Sequence, residues 1–182
     1  MQESFRAALL LSMPQMQDPN FSRTVVLLCD YGPEGAFGLV INRPTEMPAT
    51  SMVRLDPPIV GGNDMPLWIG GPVEPQRGWI LLAEEPASVE FKFIREGLYL
   101  STSQDLLRDV LQTRPAPRAR VLAGYAGWGP GQLDAELAHS SWLMGDVDLD
   151  LVFDTAADVM WESAIRRLGA DPASLTTSHG VH

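Results

Sequence analysis

This sequence predicts a mixed α+β fold with a mostly antiparallel or mixed sheet, on three observations. Short apolar runs punctuated by glycine and proline fill the first two thirds of the chain. Helical periodicity is confined to a few later segments. The order, strands first and helices interleaved late, is that of an α+β chain rather than of regular βαβ units. With 182 residues, 45% apolar and 20% charged, the chain suits a single domain with a sizeable core. That domain is expected over 1–169, with a possible small lobe around 44–100 and a loose tail over 170–182.

The elements follow in order. "ALLLSM" reads as a first strand and "TVVLLCD" as a second. In the second, alternation puts Val25, Leu27 and Cys29 on one face and Val26 and Leu28 on the other, so both faces are apolar and the strand is central. Cys29 is the one cysteine, which excludes an internal disulfide. It reads as a buried structural thiol; the alternative, a nucleophile, lacks the basic neighbour that lowers a thiol pKa. "YGPEG" is turn chemistry joining that strand to "AFGLVIN" in a hairpin. Residues 44–66 read as an irregular loop with one helical turn around Ser51 to Leu55, before the strands "LWIGG", "GWILLAEE" and "GLYLST". "SQDLLRDVLQT" carries Leu106, Leu107, Val110 and Leu111 at helical spacing, with Thr102 and Asp105 as a capping box. "RARVLAGYAG" is another strand, a helix starts at Pro130, and "SWLM" and "LDLVFD" are extended. Thr155 and Asp158 cap a last helix, "AADVMWESAIRRLG", which Gly169 ends.

Charge and motifs exclude several function classes. The formal net charge is −10. No Lys or Arg falls between Arg120 and Arg166, a stretch holding Asp134, Glu136, Asp146, Asp148, Asp150, Asp154, Asp158 and Glu162. Such a surface repels a phosphate backbone, so no direct nucleic-acid partner is expected; the acids form a solvated face or a docking patch for a basic partner. No apolar run approaches the roughly 18 residues of a membrane span. "MQESFRAALLLSM" is too short in its apolar part for a secretory leader, so the expected location is cytoplasmic with no membrane partner. The nucleophile elbow, zinc helix, P-loop and dinucleotide turn are all missing. "DVDLD" opens like a calcium loop but has Leu151 and Ala157 where glycine and glutamate belong. Neither a metal nor a cofactor is expected.

Position supplies the candidate site. Asn42 and Arg43 follow one strand, Gly70, Gly71 and Pro72 another, and Gly127 and Trp128 a third. If those strands run the same way, the three groups meet in a strand-end cleft; otherwise the glycines only serve tight turns. Within "GYAGWGPGQLDAEL", Gly129 reads as a cap and Pro130 as the first helical residue. Gln132, Glu136 and His139 then form a polar ridge beside core-facing Leu133 and Leu137. The ridge is a recognition surface or a solvated face, with Trp128 as buried anchor or exposed contact.

Four blocks, "LLLSMPQMQDPNFSRTVVLLCDYGPEGAFGLVINRP", "GGPVEPQRGWIL", "GYAGWGPGQLDAEL" and "SWL", resemble the AlgH/YqgE family of bacterial proteins in order and spacing. The resemblance runs from about Leu9 to Leu168. It implies a bifurcated mixed sheet, largely antiparallel, folded into a pseudo-barrel with flanking helices. It also implies a cytoplasmic protein of unestablished activity, linked to transcriptional regulation of exopolysaccharide production. Family motif positions here include Pro14, Asp18, Phe21, Asn42, Arg43, Gly70, Gly71, Pro72, Gly124, Gly127, Trp128, Gln132, Glu136 and Trp142, none with an implied catalytic role. Two functions follow: a non-enzymatic binding or regulatory protein acting through a protein partner or a small ligand in the strand-end cleft, or an enzyme of unassigned chemistry using Asn42, Arg43, Gln132 and Glu136.

Overall fold

The computed structural model describes residues 5–14, 19 and 21–173, so Asp18 and the tail beyond residue 173 lie outside it. In chain order the elements are β1 (Ala8–Ser12), β2 (Val25–Gly32), β3 (Gly35–Val40), β4 (Pro44–Pro48), α1 (Ala49–Met52), β5 (Pro66–Ile69), β6 (Val73–Leu82), β7 (Lys92–Arg95) and β8 (Leu98–Ser101). There follow α2 (Gln104–Gln112), β9 (Ala119–Trp128), α3 (Gln132–Ala138), β10 (Trp142–Asp146), α4 (Leu149–Phe153) and α5 (Ala157–Arg167). The sheet runs β10-β1-β2-β3-β9-β6-β8-β7. Its pairings are antiparallel except for β5, which joins β9 in parallel and carries β4 on its other side. The ladder is open, ending at β10 and β7, so the expected pseudo-barrel is not closed by hydrogen bonds.

The bifurcation is a property of β9. Its last residues, Ala126 to Trp128, pair with Gly38 to Ala36 of β3. Its first half, Ala119 to Ala123, lies between β5 and β6. Gly124 sits at the switch with φ +78°, and a Cβ there would come within 2.3 Å of the Gly71 carbonyl oxygen. A Cβ on Gly71 would in turn stand 2.1 Å from the Tyr125 carbonyl carbon. The two backbones cross where side chains cannot fit.

Burial follows the pattern read from β2. Val25, Leu27 and Cys29 enter a core with Val152, Phe153, Trp161 and Ile165 of α4 and α5. Val26 and Leu28 enter another with Trp128, Leu133 and Trp142. A third core packs Leu106, Val110 and Leu111 of α2 on Leu67, Ile80 and Val121. Each fully buried leucine contributes roughly 1.5–3 kcal/mol.

Several local expectations are corrected. α2 is capped by Ser103, whose Oγ accepts from Leu106 N at 3.2 Å, because the helix begins one residue later than a Thr102 cap requires. "LDLVFD" is helix α4, not a strand: Asp148 caps it, accepting from Asp150 N at 2.9 Å, and Leu151, Val152 and Phe153 are all buried. One turn is too short to display a period. α5 starts after Ala156 with no side-chain cap, and the Thr155 hydroxyl instead donates to Asp150 O at 3.0 Å. Within residues 44–66 lies strand β4, a proline-bounded partner of β5, and the helical turn is α1 rather than a turn at 51–55. β7, charged and mostly exposed, is an edge strand that lacks apolar alternation.

Candidate functional site

The loop after β9 is fastened by its own helix. Glu136 Oε1 accepts from both Trp128 Nε1 (3.0 Å) and Trp142 Nε1 (2.8 Å), and Oε2 accepts from Gln132 Nε2 (3.0 Å). Gln132 Oε1 accepts from Gly129 N at 3.0 Å, and the Tyr31 hydroxyl donates to Asp134. Trp128 is a buried anchor, and Glu136 is half-buried rather than a solvated ridge residue, because two indoles close over it. The cap is Gly131, left-handed at φ 76°, not Gly129: Pro130 and Gly131 form a turn, and Gly129 O accepts from Gln132 N at 3.1 Å.

Asn42 and Arg43 do a different job. Asn42 accepts from Val25 N (3.0 Å) and donates to Arg23 O (3.1 Å). Arg43 donates to Ser22 O (2.8 Å), Thr24 Oγ1 (2.7 Å) and Pro19 O (3.3 Å). Together they hold the chain entering β2. Gly70 and Gly71 lie beside them, since Ile69 N donates to Arg43 O at 2.8 Å and Val40 N to Gly70 O at 2.7 Å. Pro72 is exposed where β6 begins. The expectation that three strands run the same way fails at β3, which is antiparallel to β9. Ala36 pairs with Trp128, so Asn42, six residues further along the chain and just past the end of β3, stands roughly 20 Å away at ~3.3 Å per residue. The structure therefore makes two groups: Asn42, Arg43, Gly70 and Gly71 in one, Gly127, Trp128, Gln132 and Glu136 in the other.

A groove that sequence reasoning missed lies between the sheet and the α1–α2 side. It encloses about 490 Å³, walled by Leu67 of β5, Gly78, Trp79 and Ile80 of β6, Val121 of β9, Leu107 of α2 and Val53 after α1. Arg54, Gln76 and Gln104 line it as well. Gly78 has nothing within 4 Å of where a Cβ would stand, and its φ lies outside the left-handed region, so its missing side chain leaves space. Trp79 also walls a second depression of about 380 Å³ with Asp30, Arg77, Glu90 and Lys92. Among the described residues the buried Trp79 Nε1 has no acceptor. No sequence motif could flag the groove, because its residues come from five separate segments.

Neither site resembles a metal or thiol centre. Among the described residues no group of three or more His, Cys, Asp or Glu could hold a metal ion. Cys29 is 3% exposed, and burial pushes its thiol up to about 12.

The sequence profile of the AlgH-like family matches residues 9–173. The chain belongs to the AlgH-like family. A UPF0301 protein of Ruegeria pomeroyi is 37% identical to it, covering 94% of this chain and 96% of the relative. One of Myxococcus xanthus is 39% identical, covering 96% of each. The solution structure of AlgH from Pseudomonas aeruginosa superposes with a TM-score of 0.77 at 33% identity over 97% of both chains. A crystal structure of a Corynebacterium diphtheriae protein, at 19% identity and TM-score 0.68, covers 97% of this chain and 93% of that one and shares the fold. The names of the two UPF0301 relatives assign no activity.

The acidic third of this AlgH-like chain is less bare than its sequence suggests. Arg118 bridges Asp150 and Asp154, Arg167 pairs with Asp148 and Arg23 with Glu162, each cation coming from outside the cation-free stretch. The hydrogen bond from Arg118 holds the Asp154 carboxyl below its ordinary range. Arg120, half-buried over Trp68, donates to Phe153 O at 2.6 Å, and burial lowers its pKa. No helix among the described residues is long and apolar enough to cross a membrane.

Proposed function

We propose that this AlgH-like protein is a non-enzymatic binding protein of the cytoplasm, holding a small ligand in the groove between β5, β6, β9 and α2 and serving regulation by its occupancy. One observation carries the reading. The groove is walled by apolar and neutral polar side chains and, apart from Arg54, contains no titratable group among the described residues. Proton transfer near neutrality most often uses a His, a carboxylate or a tuned Lys in reach of substrate, and none of these lines the groove. Volume supports the reading too, since about 490 Å³ falls within the range of small-molecule sites. Direct nucleic-acid binding is not part of it, given the acids between Arg120 and Arg166.

Thermal denaturation against a panel of small apolar and amphiphilic molecules tests the proposal. A molecule present at about 100 times its Kd adds roughly 2.7 kcal/mol, which raises Tm by roughly 5–10 °C for a chain of this size. The gain should vanish in Gly78→Leu, which fills the groove. A panel without hits, or hits unaffected by Gly78→Leu, would overturn the reading.

A further inference from the structure

The polar side chains lining the groove say what its ligand carries. Arg54 follows α1, Gln76 lies in the irregular half of β6 and Gln104 opens α2. Within the described residues none of these three side chains has a hydrogen bond, ion pair or ring contact. Many of the chain's other arginines are committed: Arg23, Arg77, Arg118, Arg120 and Arg167 all contact acids, carbonyls or rings. Arg54 is also the only charged residue lining the groove, in a protein of net charge −10. An uncommitted guanidinium lining the same groove as two uncommitted carboxamides, with apolar walls and no carboxylate, complements one ligand chemistry. The guanidinium fork donates two parallel N–H···O bonds to a carboxylate, and the carboxamides add further donors to the groove lining. Gly78 opens the trough for an apolar body.

We propose that the groove binds a small monocarboxylate with an apolar chain or ring, its carboxylate on Arg54 and its body against Leu67, Ile80, Leu107 and Val121. This rests on the reading of the groove as a binding site. Specificity then divides between the two parts. The trough sets the size of the apolar body, and Arg54 selects the anion over its neutral analogue.

The test titrates octanoate and octanamide into the ¹⁵N-labelled full chain and follows the backbone amides of Gly78, Val121 and Ala123. Octanoate should shift them at lower concentration than octanamide. Arg54→Gln, a change at an exposed and unpartnered side chain, should weaken octanoate about tenfold, the loss of one charge-assisted contact, and leave octanamide unchanged. Gly78→Leu should abolish both responses while the rest of its spectrum stays native. Equal binding of the two probes, unaltered by Arg54→Gln, would overturn the preference for an anion and leave the groove standing as a site. Absence of shifts at these amides with either probe would overturn the groove itself.

Discussion

Glu136 accepts three side-chain donors, and two of them are indoles with nowhere else to turn. Trp128 and Trp142 are 7% and 3% exposed, so their N–H groups cannot be satisfied by bulk water once the carboxylate is removed. Glu136→Ala should therefore cost roughly 2–5 kcal/mol by urea denaturation, from stranded donors at about 1–3 kcal/mol each. Glu136→Gln, which keeps one carbonyl oxygen, should cost less, and Gln132→Ala on the exposed side should stay within about 1 kcal/mol. Equal losses for all three would show that the indole contacts do not carry the stability. Cys29 supplies a second expectation at this scale. Its thiol holds its proton to about 12 in the folded chain against an ordinary 9.0. Between those values the folded state binds the proton that the unfolded state has lost, so stability falls as pH rises, with a slope of about 1.4 kcal/mol per pH unit. The contribution is complete below about pH 9 and Cys29→Ala should flatten the decline; an unchanged slope in that variant would refute the assignment.

At the level of elements, glycines with similar dihedrals should behave differently. Gly124 and Gly131 both adopt left-handed conformations, φ +78° and φ +76°. Only Gly124 has a backbone oxygen in the way. Gly131→Ala should cost about 1–2 kcal/mol for the conformation alone, and Gly124→Ala about 3 kcal/mol or more for conformation plus overlap, both read from chemical denaturation. Comparable costs would mean that the close approach of Gly124 to Gly71 has room to relax. What the sequence revealed of these elements depended on how far each signal extends. β2 declared both its neighbours because its five consecutive apolar residues, read as a strand, leave both faces apolar and so demand cover on each. α4 was misread because one buried turn and a short strand give the same apolar run. The link between Gln132 and Glu136 was visible as spacing, i to i+4, whereas Trp142 reaches Glu136 only because the chain reverses after α3, which no local pattern records. The groove was invisible for the same reason on a larger scale. Gly78 reads as a strand opening, and its empty space exists only once α2 has packed opposite.

For the molecule as a whole, β9 decides cooperativity. β1, β2, β3 and β10 join β6, β7 and β8 in the hydrogen-bond ladder only through this one ten-residue strand, and the two halves also share one core, with Leu9, Leu27 and Leu39 packed with Trp79, Leu81 and Leu98. Neither half keeps its inner edge paired without it, so a lobe around 44–100 should not melt by itself. Calorimetry of the full chain should show a single transition whose van't Hoff and calorimetric enthalpies agree, and two resolved transitions would establish separate domains over 1–169.

The same strand imposes an order in time. It occupies residues 119–128, late in the chain, yet both β3 and β6 wait for it. While the protein is being made, the β2–β3 hairpin emerges early with one edge unpaired, and β6 follows with another. Unpaired edges invite pairing with the wrong chain. A ribosome that stalls before residue 119 therefore holds a chain in which β3, β5 and β6 all lack the strand that pairs with them.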